Sequence, residues 1–263
     1  MTEKYLKRIA EALERAYPAP PDTSFFNKAD AFLWKSSLNS FEIIKDVPGI
    51  SLAMLRGMDD EIDKVLVNTK ALINNRNANN VLIWGARGMG KSTLIKAVFK
   101  ELKKSSRKLK IIEVSRDSIL ELDRLFKVLR ELSLKFIVFC DDISFEDGEG
   151  SYKSIKSILD GGLRGDSQNI VLYATSNRRH LLSRRTDSAI NFTRESEEID
   201  EKLSISDRFG ISIGLYECDQ QLFLEIVNDY AFALGIKIKK ETLEKKAIAW
   251  QMQRGARSGR VAK

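Results

Sequence analysis

The sequence predicts an α/β fold: a five-stranded parallel sheet with helices on both faces, followed by a small C-terminal helical lid. Three observations predict it. Short apolar runs alternate with amphipathic stretches between residues 79 and 216, the pattern of a parallel sheet covered on both sides. "GARGMGKST" (residues 85–93) has the G-x-x-x-x-G-K-[ST] spacing of a phosphate-cradling loop, and it stands between a strand-like and a helix-like segment. After residue 216 two helical stretches follow without another strand.

Residues 4–17 repeat Leu6, Ile9, Leu13 and Tyr17 at a helical period, and "PAPPDTS" then interrupts the pattern with three of the chain's four prolines. Residues 1–22 are therefore expected to form a helix on a stiff linker, ahead of an α/β domain over 23–216 and the lid over 217–263. Gly57 followed by "MDDEIDKVLVNTKALI" reads as a turn into an amphipathic helix. "NNVLIW" leads into the loop as a buried strand, and "TLIKAVFKELKK" leaves it with Leu94, Ile95, Val98, Phe99 and Leu102 on one stripe. Strands are predicted over 81–84, 110–114, 136–140, 169–174 and 211–216, with helices near 92–104, 117–132 and 151–160. "DQQLFLEIVNDYAFALG" and "KKETLEKKAIAWQMQRG" supply the lid helices.

The bulk properties narrow the function classes. A chain of 263 residues with 43% hydrophobic side chains buries a full core. Two distant cysteines, Cys140 and Cys218, and the single His180 argue against a disulfide framework or a histidine-rich metal centre. No apolar run approaches the roughly 18 residues of a membrane span, so a cytoplasmic protein without a membrane partner is expected. The net charge of +7 suits nucleic acid, an anionic surface or the phosphates of a nucleotide. Of the basic runs, "KELKKSSRKLK" suits the C-terminal end of the helix behind the loop, whereas "RRHLLSRR" and "RGARSGRVAK" remain candidates for a ligand or partner.

The chemistry-bearing residues cluster at predicted strand ends. Lys91 is expected to face solvent and phosphate. "KFIVFCDDISFE" delivers two carboxylates from a buried strand, placing Asp141 to hold Mg²⁺ through water with the Ser92 hydroxyl as the direct ligand. "NIVLYATSNRRH" ends a strand in Thr175, Ser176 and Asn177, within reach of an attacking water or a terminal phosphate. Arg208 precedes the last strand, where a guanidinium serves either a salt bridge or phosphate oxygens. Arg257 and Arg260 share a segment of the lid.

In this order, the segments resemble the AAA+ ATPases, a class of P-loop NTPases, over about residues 50–263. "NNVLIWGARGMGKSTLIKAV", "FIVFCDDISFEDGEGSYKSIKSILDGGL", "ATSNRRHLL", "LSISDRFG" and "RSGRVA" resemble the prokaryotic AAA+ family labelled domain of unknown function 815. The resemblance implies ATP or ADP and Mg²⁺ as ligands. The loop residues Gly85, Ala86, Arg87, Gly88, Met89, Gly90, Lys91, Ser92 and Thr93 would bind the phosphates, with Lys91 on the terminal ones. Ser92 and Asp141 would hold the metal, and Asn177 would be the first sensor. Arg208 would be the arginine finger, and Arg260, with Arg257 as the second candidate, the second sensor. Leu55, Gly57 and Met58 match the segment that covers adenine. A nucleotide-dependent homo-oligomer, a ring or an open arc, is implied as well.

Two departures matter. AAA+ proteins usually follow the metal-binding Asp with Glu as the base that polarises water, and here the position is Asp142. Its carboxylate is shorter by one methylene, roughly 1.5 Å, which predicts slow hydrolysis unless the backbone compensates or Glu146 substitutes. The chain also stops three residues after Arg260, which implies a lid that is incomplete or completed by a neighbour. Three functions stay open: an ATPase that remodels or loads a partner, a nucleotide-gated switch with negligible hydrolysis, and a small-molecule kinase. "SRDSILE" lacks the aromatic–glycine pair of polypeptide-threading loops, and "RRHLLSRR" fits nucleic acid better, without aromatic interleaving.

Overall fold

The apolar runs form a seven-stranded sheet in the order β2-β1-β4-β5-β6-β3-β7. The strands are β1 (Ala31–Lys35), β2 (Ser40–Ile43), β3 (Val81–Gly85), β4 (Leu109–Val114), β5 (Lys135–Cys140), β6 (Ile170–Ser176) and β7 (Ile211–Leu215). In this computed structural model the described residues are 4–10, 23–143, 149–159, 168–177 and 208–263. The five expected strands are present and parallel. The count of five is corrected to seven by β1, parallel to β4, and by β2, which returns antiparallel beside β1. Physical cause is visible at the turn between them: Ser36–Leu38 forms a 3-10 turn and Asn39 takes φ 45°, so a short hairpin closes without glycine or proline to mark it. Phe32 of β1 packs edge-on against Phe26 at 4.7 Å, and Phe26 against Phe136 of β5 at 5.3 Å, which fastens this edge to the core.

Strand alternation sends side chains to two apolar layers. Val81, Ile83, Phe139 and Tyr173 face α1 (Asp59–Ile73) and α2 (Lys91–Lys103), where Val65, Leu72, Leu94, Ile95 and Val98 complete one layer. Leu82, Phe136, Val138 and Leu172 face α3 (Leu122–Arg130) and α4 (Glu149–Leu159) through Leu125, Phe126, Leu129 and Ile155. The helix expected over 117–132 divides into a 3-10 stretch, Arg116–Glu121, and α3. Tyr173 reaches across to α1 and bonds Asn68 Nδ2 at 3.0 Å and Thr69 Oγ1 at 2.7 Å, so its buried hydroxyl is satisfied. Burial pushes that phenol up to about 12.

Beyond β7 the lid comprises α5 (Gln220–Ala233), α6 (Lys240–Arg254) and the short α7 (Gly259–Ala262). Asp219 caps α5 by accepting from Leu222 N at 2.8 Å, and Ser258 caps α7 by accepting from Val261 N at 3.3 Å. Gly255, at φ 66°, ends α6. Residues 4–10 are helical and exposed. The remainder of the expected N-terminal helix and its linker, "RRHLLSRR" with His180, and Glu146 lie outside the described residues. No described helix is long and apolar enough to cross a membrane.

Candidate functional site

The strand order puts the C-terminal ends of β5, β6 and β3 side by side, and the candidate residues sit there. The loop after β3 turns through Gly88 at φ 85° and Gly90 at φ 92° before α2 starts at Lys91. Left-handed turns at both places require glycine and aim successive backbone N–H groups into the space at the helix N-terminus. Lys91 folds back under this loop. Its ammonium donates to Gly85 O at 2.7 Å, Ala86 O at 2.8 Å and Asn177 Oδ1 at 2.9 Å. Only 7% of Lys91 is exposed, which corrects the expectation that it faces solvent: two loop carbonyls and Asn177 surround its ammonium. Burial pushes the ammonium below the ordinary lysine value, while Asp142 and Asp141 pull it back toward the charged form.

The two acids after β5 are held differently. Asp141 Oδ1 accepts from Ser92 Oγ at 2.6 Å and from Thr175 Oγ1 at 2.5 Å. Ser92 and Asp141 thus converge on one spot and present oxygen donors alone. That set fits Mg²⁺, a hard cation that takes one or two protein oxygens and keeps waters and phosphate oxygens for the rest. Among the described residues no group of three or more His, Cys, Asp or Glu could hold a metal by itself. Asp142 stands at φ 54°, its N–H donates to Thr175 Oγ1 at 2.8 Å, and its Oδ1 accepts from Asn177 Nδ2. Asn177 therefore joins the Lys91 ammonium to the Asp142 carboxylate.

These groups form one wall of a cavity of about 1080 Å³, which the loop residues Arg87 to Thr93 also line. Gly85 and Ala86 lie behind that lining and hold Lys91. Leu55, Gly57 and Met58 reach the cavity from the segment ahead of α1, with Leu222, Ile226 and Tyr230 of α5 also in the lining. Gly57 has φ 70°, and a Cβ there would collide with the Leu222 side chain. Arg56 clasps Asp229 of α5 through Nε at 2.6 Å and Nη2 at 3.4 Å. Arg257 and Arg260 bring lid guanidinium groups to the cavity, and Arg260 N meets Gly88 O at 3.4 Å. A Cβ on Gly88 would meet Ser258 Oγ at 2.9 Å, so the close approach of lid and loop requires glycine. Arg208 precedes β7 beside the buried Phe209 and does not line the cavity. The structure thus gathers every predicted site residue at or behind one cavity except Arg208.

Sequence reading did not single out Arg56, Asp229, Arg116 or Ser258. Arg56 and Asp229 meet across 173 positions, a separation no local pattern reveals. Ser258 carried a usable signal, a hydroxyl residue directly before a helical turn. The sequence places Thr175 within reach of water or phosphate, whereas its buried hydroxyl serves the two acids.

A glycine loop after β3, paired acids after β5, the strand one beyond β6, and a helical lid over the strand ends fit the AAA+ P-loop NTPase fold. The chain belongs to the family described as protein of unknown function (DUF815), whose model matches residues 27–263. No curated protein matches it in sequence. Among solved structures it is similar to the Thermotoga maritima RuvB Holliday junction branch migration motor, at 18% identity and TM-score 0.51, over 81% of this chain and 69% of that one. It is also similar to the Aeropyrum pernix ORC1 protein in complex with DNA, at 15% identity and TM-score 0.57, over 78% of this chain and 57% of that one. The FIGL-1 AAA domain in complex with ADP gives 18% identity and TM-score 0.50, over 76% and 67%. At these identities the likeness concerns the fold.

Proposed function

We propose that the chain is a Mg²⁺-dependent ATPase that works in the cytoplasm as a homo-oligomer, with slow hydrolysis driving the remodelling or loading of a partner. The observation that carries this reading is the double engagement of Asn177, which links the Lys91 ammonium to the Asp142 carboxylate. A phosphate seated in the loop would draw the Lys91 charge toward itself, leaving Asn177 and Asp142 together to orient a water. Asp142 is then the group that takes the water's proton, and Arg257 and Arg260 meet phosphate charge from the lid. Mg²⁺, held by Ser92 and Asp141, would neutralise charge on the phosphate oxygens. Leu55, Gly57 and Met58 with the α5 side chains offer an apolar end of the cavity for the base.

Arg208 lies outside that cavity, which suits a finger acting on the site of a second copy. RuvB is described as a branch migration motor and ORC1 is seen with DNA; together with the basic "RRHLLSRR" segment these favour nucleic acid as the partner over a threaded polypeptide. A nucleotide-gated switch is the second reading, favoured by the short carboxylate of Asp142.

Steady-state ATP turnover and Mg²⁺-dependent nucleotide binding test the assignment on the two acids. Asp141→Asn is expected to weaken Mg²⁺-dependent binding. Asp142→Asn should keep binding and lose roughly 100-fold or more in turnover, the scale of general-base catalysis. Asp142→Glu should raise the rate if reach is limiting. Equal turnover in Asp142→Asn and wild type would remove Asp142 from the chemistry. A wild type that binds MgATP without turnover would establish the switch.

A further inference from the structure

We propose that Arg116 is a positioning residue that sets the reach of the Asp142 carboxylate. The inference rests on reading Asp142 as the group that takes the water's proton, and it answers how a side chain one methylene short can serve there.

Asp142 holds φ 54°, a left-handed conformation uncommon for residues with a Cβ, which aspartate tolerates and which its surroundings hold in place. The surroundings do so on both sides. Its N–H donates to Thr175 Oγ1 at 2.8 Å, and the next N–H, of Ile143, donates to Thr175 O at 2.8 Å. Its carbonyl accepts from Arg116 Nη2 at 2.8 Å. Thr175 belongs to β6, and Arg116 opens the 3-10 stretch that follows β4. Because β5 lies between those two strands, each neighbour supplies one clamp to the peptides flanking Asp142. With both peptides pinned, the carboxylate keeps only its own side-chain torsions, and it meets Asn177. A shortfall of roughly 1.5 Å in the side chain is then open to correction by a turn of the main chain.

The two clamps are separable by experiment. Thr175 also bonds Asp141, so its removal would disturb the metal side together with the base. Arg116 does not line the cavity and reaches Asp142 through the main chain, so its removal should touch turnover and leave binding alone. Arg116 is exposed, and alanine there leaves the apolar layers intact.

The test is steady-state MgATP hydrolysis by the full chain, with melting followed in parallel, for wild type, Arg116→Ala, Arg116→Lys and Asp142→Asn. Arg116→Ala is expected to lower kcat by about 10- to 100-fold, the scale of a base misplaced by about 1 Å, with KM for ATP within about twofold of wild type. Arg116→Lys, which retains a cationic donor, should recover part of the loss. In the Asp142→Asn background Arg116→Ala should lower turnover no further. The inference falls if Arg116→Ala keeps kcat within about twofold of wild type while Asp142→Asn is inactive; the base assignment then survives alone. It falls too if Arg116→Ala raises KM and lowers melting together and Lys recovers nothing, because that is a general structural effect. Unchanged turnover in Asp142→Asn, or none in wild type, removes the reading on which the inference stands.

Discussion

The two walls of the cavity are built by different means. On the sheet side Asp141 and Asn177 directly follow β5 and β6, strands whose every residue is buried, and hydrogen bonds tie Ser92, Thr175, Asp141, Asp142, Asn177 and Lys91 into one network. On the lid side α6 has no buried residue. That side meets the sheet domain through local contacts: the Arg56–Asp229 pair, Gly57 against Leu222, and Arg260 with Ser258 against Gly88. Groups that must be placed within tenths of an ångström sit on the rigid wall. The lid side, held by fewer contacts, is the wall that would open at lower cost.

Between the two walls, the larger effect is expected from breaking the sheet side. Lys91→Ala should weaken ATP binding by roughly 100-fold, the loss of charge-assisted hydrogen bonds worth about 3 kcal/mol. Alanine also leaves the Gly85 and Ala86 carbonyls without their donor, so the melting temperature should fall by about a few degrees instead of staying constant. Titration with a fluorescent ATP analogue beside a melting curve reads both, and wild-type affinity would contradict the assignment of the loop.

Loosening the lid wall should do far less. Arg56 and Asp229 are half-exposed, and solvent screens such a pair, so Arg56→Ala should speed nucleotide release by no more than about fivefold. The exchanged pair Arg56→Asp with Asp229→Arg should restore the slower release, and raised salt should mimic the single variant. Stopped-flow release of a labelled nucleotide measures it. A change as large as that from Lys91→Ala would mean that the two walls do not differ as described.

Most of the sheet wall was legible in the sequence because its signals are local. The glycine loop, the acids behind Ile137 to Cys140 and Asn177 behind Ile170 to Ala174 each follow a short apolar run that reads as a buried strand. The hairpin of β1 and β2 was not legible, since five residues, "AFLWK", with no glycine or proline at the turn give no period to read. The orientation of Lys91 escaped for another reason: it is set by hydrogen bonds to the Gly85 and Ala86 carbonyls, which the spacing of the motif does not reveal. Arg116 and the Arg56–Asp229 clasp depend on tertiary contacts between distant positions, on which spacing is silent.

If the proposed ATPase site is completed by a second copy, mixing two inactive variants should restore it. Arg208→Ala is expected to bind ATP as wild type does and to be inactive, because an arginine finger contributes roughly 10³-fold or more in rate. Lys91→Ala keeps its Arg208 and lacks a working nucleotide pocket. Mixed at concentrations where wild type is active, the two should recover part of the turnover, since each supplies what the other lacks, and wild-type specific activity should rise with protein concentration. A mixture no more active than the sum of its separate components would contradict the shared site.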